Sequence, residues 1–342
     1  MIKKNKTIII AEAGVNHNGN LKLALRLVDA AKKANADFIK FQLYKHDHLA
    51  TVYAPQAEYQ KKNTKKKQTQ AELLKKLELN LGNFKRIKSY CKKKKINFLL
   101  SIFGIEELNI IKKLNLKIIK LPSGEINNVP LLKAIAKMNL NIILSTGMAE
   151  IKEVEFAIKL LKKNRLSQNK ICILQCTTDY PTQLKDVNLN AMNSMRKKFK
   201  IKVGLSDHTL ENDSSIAAVA LGAEVIEKHI TLNENMRGPD HKASLNPKKF
   251  ADLVNSIRNV ETLLGSAHKK PCKAELKHKK IVRKSIVANK NIEKGTKFSE
   301  INLMCKRPEG GISPASWEKV IGKKAKKNFK KDDFIILWKK FV

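Results

Sequence analysis

Eight short apolar runs, each ending in polar residues, place the strongest limit on what this chain can fold into. They are TIIIAE (7–12), DFIKFQ (37–42), INFLLS (96–101), KIIKLPS (117–123), NIILST (141–146), KICILQCT (170–177), KVGLSDH (202–208) and EVIEKHI (224–230). Between them, stretches such as LKLALRLVDAAKKA (21–34), VPLLKAIAKM (129–138), IKEVEFAIKLLKKN (151–164) and DSSIAAVALG (213–222) carry their apolar residues on one helical face. Alternating strand and helix implies parallel pairing, because each crossover must return the chain to the same edge. Eight such units predict an α/β fold, a closed (β/α)8 or TIM barrel, with the strand C-termini gathered at one mouth.

Glu12, Lys40, Gln42, Ser101, Lys120, Ser123, Ser145, Thr177, Ser206, His208, Lys228 and His229 all fall at or just beyond the ends of these strands, where a barrel builds its site. Polar residues end strands in any protein, and for Ser101 that alone is sufficient explanation. Lys40, Lys120 and Lys228 stand in apolar surroundings, so each needs an anionic partner; an unpaired buried charge is costly.

The barrel is expected to close with a helix over 247–265, giving a catalytic domain of residues 1–265. A polar linker, 266–281, follows. Over 282–342 the pattern changes to short strand-like pieces punctuated by Lys294-Gly295, Pro308 and Gly310-Gly311, which predicts a second, small and mostly β domain. About 60 residues bury little core, so such a domain is expected to dock on something.

Charge and cysteine content bear on partners and compartment. The net charge of +38 would suit a nucleic acid or another anionic surface. Its distribution argues otherwise, since the lysines are scattered through helical segments and aromatics make up only 6%, with no interleaving suited to stacking bases. Solvated lysine-rich faces are the expectation, with no specific nucleic acid and no membrane as partner. No apolar run approaches the roughly 18 residues that cross a bilayer, and the run after the basic start is broken by Glu12, so no signal peptide is read. Five cysteines without CxxC spacing speak against a disulfide framework or a cysteine zinc site and for a reducing cytoplasm.

His208 and His229 end neighbouring strands at the predicted mouth. Two imidazoles so placed can bind one divalent metal, leaving positions open to water and substrate, as Lewis-acid catalysis requires; a pair of hydrogen-bonded structural histidines is the other reading. Lys40, Lys120, Ser123, Ser145 and Ser206 around the same mouth make a phosphate site, and PSGE (122–125) and STGM (145–148) are small-residue turns of the kind that expose N–H groups to anions or simply cap helices. Glu12, followed by a Gly- and Asn-rich loop, is a candidate general acid/base or a partner of the metal's water. His17 is a weaker candidate for a third ligand. Asp240, in RGPDH (237–241), is placed to hold a sugar hydroxyl or orient a ligand.

Taken together, IIAEAGVNHNG, KFQ, KLPSGEINN, ILSTGM, LQCTTDYP, VGLSDHT, EKHITL with GPDHKASL, and CKRPEGGISP resemble the sialic acid synthase family, in order and along essentially the whole chain. The small second domain is similar to the antifreeze-like (SAF) domain. The resemblance implies a metal-dependent condensation of phosphoenolpyruvate with the open-chain aldehyde of a 2-acetamido sugar, giving a nine-carbon 2-keto acid and phosphate. It implies His208 and His229 as manganese ligands (magnesium or cobalt being alternatives), with Glu12 and Asp240 beside the metal and its water. Lys40, Lys120, Ser123, Ser145 and Ser206 match the phosphoenolpyruvate contacts. Gln42, Glu125 and Tyr180 match residues lining the sugar and the reaction centre. Arg307 matches an arginine that the C-terminal domain of one subunit inserts into the barrel of the other, which implies a homodimer. Where the family carries a phosphate-contacting asparagine, this chain has Thr177 and Thr178, a departure that leaves one donor in place of two.

The sugar is open at this point: N-acetylmannosamine and a 2,4-diacetamido-2,4,6-trideoxy mannose differ only at C4 and C6. Two other readings stand beside the condensation. One is a relative that condenses phosphoenolpyruvate with a different sugar, such as a sugar phosphate; the other is a basic nucleic-acid-binding or scaffold protein on an inactive barrel.

Overall fold

Parallel strands β1 (Ile8–Gly14), β2 (Phe38–Leu43), β3 (Asn97–Ile102), β4 (Ile118–Leu121), β5 (Asn141–Ser145), β6 (Ile171–Cys176), β7 (Lys202–Asp207) and β8 (Val225–His229) hydrogen-bond in sequence order, and β8 closes back on β1. This computed structural model describes residues 6–64 and 68–337. It divides into two units, Met1–Gly265 and Ser266–Val342.

Each barrel strand is buried on both faces, and the two-residue side-chain period separates two kinds of core. Outward residues such as Ile9, Ile39, Leu100 and Leu144 pack under the surrounding helices, while inward Ile10, Phe38, Leu99, Ile143, Leu174 and Val225 plug the barrel. Two residues further on, the inward row turns polar: Glu12, Lys40, Ser101, Ser145, Cys176 and Glu227 follow those six positions. The site therefore stands on a dry hydrophobic floor. Gly204 lies in this interior where a Cβ would come within 2.1 Å of the Val225 carbonyl, so a side chain there cannot be accommodated without parting β7 from β8.

The helices start where their caps place them. Asn20 accepts from Lys22 N and Leu23 N ahead of helix Leu21–Lys33, and Asn246 accepts from Lys249 N ahead of Pro247–Leu264, each cap contributing about 1 kcal/mol. The β2–β3 connection is the elaborated one. Helices His46–Leu49, Glu58–Thr64 and Gln70–Leu77 precede its crossover helix Leu81–Lys94, and Leu73, Leu74 and Leu77 pack with Val15 and Tyr44 over the mouth.

In the C-terminal unit, β9 (Ser285–Ala288) pairs antiparallel with β10 (Leu303–Lys306) over a core of Ile286, Ile292, Phe298, Leu303, Val320 and Phe329. The segment expected to be a linker, 266–281, instead carries helix Lys273–Val282. Its good helix formers are started by a capping box between Cys272 and Glu275, yet none of its residues is buried, which is why the stretch reads as polar linker in sequence. Residues 338–342, included in the expected second domain, lie outside the described residues, as do residues 1–5 at the basic start.

Candidate active site

The register sets the layer on which the site is built. Glu12 pairs with Lys40 on one side and His229 on the other, Gln42 with Ser101, Ser101 with Lys120, and Ser206 with both Cys176 and Glu227. At the centre are two buried lysines and two buried carboxylates. Lys40 Nζ lies 2.9 Å from Glu12 Oε2 and 3.7 Å from Glu227 Oε2, and donates to Ser101 Oγ at 2.7 Å. Lys120 Nζ is 3.3 Å from Glu227 Oε1, which also accepts from Ser206 Oγ at 3.1 Å.

This cluster fixes protonation unevenly. Burial pushes Glu227 up, but Lys120, Lys40 and His229 outweigh it and hold its carboxyl at about 2. For Glu12 burial wins over Lys40, and the adjacent Glu227 adds to it, so its pKa is raised. Burial opposes the charge on Lys40, yet Glu12 and Glu227 together raise its pKa; at Lys120 burial prevails over the attraction of Glu227 and the pKa falls. Glu227 thus keeps its charge while Glu12 is the carboxylate poised to exchange a proton.

Above the cluster, His208 and His229 stand with ring centroids 5.5 Å apart. Tyr180 lies against both, 4.1 Å from the His208 ring and 5.9 Å from that of His229, and Tyr59 stacks on Tyr180 at 5.0 Å. Asp240 is buried beside them, and burial, with the charge of Glu12 adding to it, raises its pKa to about 6.

The donor set suits a divalent cation. His208 Nδ1 donates to the Thr177 carbonyl at 2.8 Å, which aims its Nε2 at a ligand; burial opposes the charge on this ring but the neighbouring Cys176 and the Thr177 carbonyl raise its pKa, so a cation binding there would displace a proton. Among the described residues, His229 Nδ1 and Asp240 Oδ1 are buried with no hydrogen-bond partner. Burial, reinforced by His208 and Lys40, holds His229 well below the usual histidine range and hence neutral, as a ligand must be. Gly14, at φ +51°, leaves open space against Glu12, His229 and Gln42 that a Cβ would enter. No group of three or more His, Cys, Asp or Glu among the described residues forms a cage, so any cation here would keep positions for water and substrate.

These groups line one cavity of about 230 Å³. Of the residues singled out in the sequence, Glu12, Lys40, Gln42, Ser101, Lys120, Ser123, Ser145, Thr178, Tyr180, Ser206, His208, His229 and Asp240 line it. Five others stand elsewhere. Glu125 is half-buried outside the lining and accepts from Asn128 Nδ2 at 2.7 Å. His17 is turned away, its Nδ1 accepting from Gly19 N at 3.0 Å, which removes it as a third ligand. Lys228 faces the opposite side of β8 from His229, as strand alternation requires, and its partner is Asp207 at 2.8 Å. Arg307 belongs to the C-terminal unit and is exposed on it. At the threonine pair, Thr178 faces the cavity while Thr177 Oγ1 donates to the Asp186 carbonyl.

Glu227 is the residue the sequence reading passed over. Its signal was present: Glu227 and His229 share the inward face of EVIEKHI, and two buried lysines demanded carboxylates. Tyr59, Gln60 and Gln70 were also missed, because they come from the β2–β3 helices, where no strand end announces them.

A closed barrel whose mouth gathers paired lysines and carboxylates, hydroxyls and two imidazoles in one cavity is the build of a barrel enzyme. Comparison with known proteins gives the particular kind. The chain belongs to the NeuB family, whose model matches residues 27–269, and the SAF domain matches residues 283–342. It is 50% identical over 330 residues to the N,N'-diacetyllegionaminic acid synthase of Campylobacter jejuni, covering 96% of this chain and 99% of that one. It is 42% identical to the Legionella pneumophila protein of the same name, over 94% and 90% of the two chains. A crystal structure of N-acetylneuraminic acid synthetase from Leptospira borgpetersenii, in complex with citrate, superposes with a TM-score of 0.72 at 34% identity, over 80% of this chain and 90% of that one. The chain is accordingly a synthase-type enzyme of the transferase class. Among the described residues no helix is long and apolar enough to cross a membrane.

Proposed function

We propose that this enzyme condenses phosphoenolpyruvate with the open-chain aldehyde of a 2,4-diacetamido-2,4,6-trideoxy hexose, giving a nine-carbon 2-keto acid and inorganic phosphate in the cytoplasm. The observation that carries the reading is a single cavity that pairs Lys40 and Lys120, with Ser101 and Ser206 beside them, against His208 and His229. The diacetamido sugar is preferred over N-acetylmannosamine because the two legionaminic acid synthases are 50% and 42% identical to this chain, against 36% for a human N-acetylneuraminate-9-phosphate synthase.

Each residue then has a task. Lys40, Lys120, Ser123, Ser145, Thr178 and Ser206 hold the phosphate and carboxylate of phosphoenolpyruvate, the lysines as point charges and the hydroxyls as donors. Gln42, Tyr180 and Asp240 position the aldehyde end of the sugar. A divalent cation, Mn²⁺ for choice and Mg²⁺ or Co²⁺ as alternatives, held by His208 and His229 would polarise the aldehyde oxygen. As C3 of phosphoenolpyruvate bonds to C1 of the sugar, Asp240 supplies the proton that the former aldehyde oxygen takes up. Glu12 removes a proton from the water that adds at C2, and the hydroxyl so formed passes its remaining proton to the departing phosphate as the bond from C2 to the phosphate oxygen breaks, leaving the 2-keto group. Holding both substrates in one cavity supplies the proximity that joining two molecules demands. Arg307 reaches the sugar's acetamido group from the partner subunit of a homodimer.

Phosphate release from phosphoenolpyruvate with Mn²⁺ present, measured with each sugar, tests the reading. Release driven by the diacetamido sugar and abolished in His208→Ala supports it; no release with either sugar rejects it.

A further inference from the structure

Resting on that condensation, we infer that the outer wall of the cavity selects the sugar by its far end, with Gln70 accepting the N–H of a second acetamido group and the leucines beside it taking methyl groups. The cavity lining is of two chemical kinds: the charged groups of the lysines, carboxylates and histidines, and an apolar part of Val15, Leu49, Leu73, Leu74, Leu77 and Phe103, which pack together in one cluster. A hydroxymethyl pressed against those leucines would lose its water and gain no partner from them, whereas a methyl loses nothing.

Two amides interrupt the apolar part. That of Gln60 is already engaged, its Oε1 accepting from Ala57 N at 3.3 Å and its Nε2 donating to Tyr59 Oη at 3.3 Å. Gln70 differs: among the described residues its Oε1 is buried with no partner. A buried carbonyl with nothing to accept is costly unless a ligand or a water supplies the donor. An acetamido group offers an N–H for Gln70 and a methyl for the leucines in one substituent. A neighbouring methyl where the other sugar has a hydroxymethyl suits the same wall.

The wall is held in place, as discrimination requires. Gln70 opens helix Gln70–Leu77, with its own N–H bonded to the Ala54 carbonyl at 3.0 Å and a capping box between Thr69 and Glu72. At the other end the Lys76 carbonyl abuts Gly19, where a Cβ would come within 2.4 Å, and Tyr44 Oη donates to the Leu74 carbonyl at 3.3 Å. These contacts back the helix at both ends, on the side away from the cavity's substrate space, against displacement by a mismatched group.

Steady-state kinetics of phosphate release decide it, with 2,4-diacetamido-2,4,6-trideoxymannose and N-acetylmannosamine compared in the wild type, Gln70→Ala and Gln70→Glu. The wild type should favour the diacetamido sugar by roughly 100-fold in kcat/KM, within the range of about 10–200-fold that small apolar differences give. Gln70→Ala should cut that preference about tenfold, through a higher KM for the diacetamido sugar, with KM for phosphoenolpyruvate unchanged. Gln70→Glu keeps an acceptor and should retain more of the preference. If Gln70→Ala slows both sugars equally, or shifts KM for phosphoenolpyruvate as well, Gln70 supports the fold and the inference is wrong. A wild type that favours N-acetylmannosamine also overturns it, leaving the condensation intact. If neither sugar releases phosphate, the condensation itself has failed.

Discussion

Lys228 Nζ lies 2.8 Å from Asp207 Oδ2, and the two residues are register partners on β8 and β7, each one position before an imidazole of the site. Their side chains are 1% and 0% exposed. Asp207 also accepts from Ser214 Oγ at 2.7 Å and Thr209 N at 2.9 Å, and Lys228 donates to the carbonyls of Thr209 at 2.8 Å and Glu211 at 2.7 Å. The pair ties the turn after β7 to β8 from behind, and His208 lies within that tied turn.

Lys228→Met would leave Asp207 buried with its charge unmatched. A loss of about 3–5 kcal/mol is expected for breaking a buried pair on one side, which is on the order of a 10 °C fall in thermal midpoint for a unit of this size. A midpoint within ~2 °C of wild type would show that the hydroxyls and backbone alone sustain Asp207.

Glu227 gives a pH signature. Its folded-state pKa, about 2, lies below the ordinary carboxylate value, so its charge stabilises the fold fully above the unfolded pKa and that contribution is lost as pH falls toward 2. Comparing wild type with Glu227→Gln isolates the effect. The gap in stability should be roughly 3 kcal/mol at neutral pH, since lowering a pKa by one is equivalent to about 1.4 kcal/mol, and should narrow steadily between about pH 4.5 and 2. Thermal melts across that range check it; a gap that does not change with pH would mean that Glu227 titrates alike in the folded and unfolded protein, so that its charge adds nothing to the fold.

How far the sequence revealed all this depends on the kind of residue. Strand ends were legible because a buried parallel strand must be apolar until it leaves the barrel, so Lys40, Ser206 and His208 stood out against Ile, Leu and Val. Which face each residue takes was harder to see where polar residues are consecutive. In EVIEKHI, Lys228 was grouped with the mouth and Glu227 passed over, although period-two alternation places them the other way round. The β2–β3 helices gave no such contrast. Leu73, Leu74 and Leu77 show helical spacing, but nothing in their sequence says that the helix packs beside the cavity.

Metal binding is testable without turnover. A ligand that binds only the folded state raises its stability by about 2.7 kcal/mol at a hundred times its Kd. Mn²⁺ at that excess should raise the thermal midpoint of the wild type by roughly 5–10 °C, and a chelator should reverse the shift. Neither His208→Ala nor His229→Ala should respond. Equal shifts in all three proteins would place the binding elsewhere and remove the two histidines as ligands.

Arg307 and His208 lie in different units of the chain, which makes their proposed cooperation across a dimer open to complementation. Arg307→Ala and His208→Ala homodimers should each be nearly inactive. A mixed dimer places the intact Arg307 of the His208→Ala subunit against the intact barrel of the other, restoring one site of its two. With random pairing, coexpressed variants should recover about a quarter of wild-type activity, because half the symmetric dimers are mixed and each has one working site. If Arg307 serves its own barrel, no subunit of the mixture is complete and activity stays at the level of the separate variants.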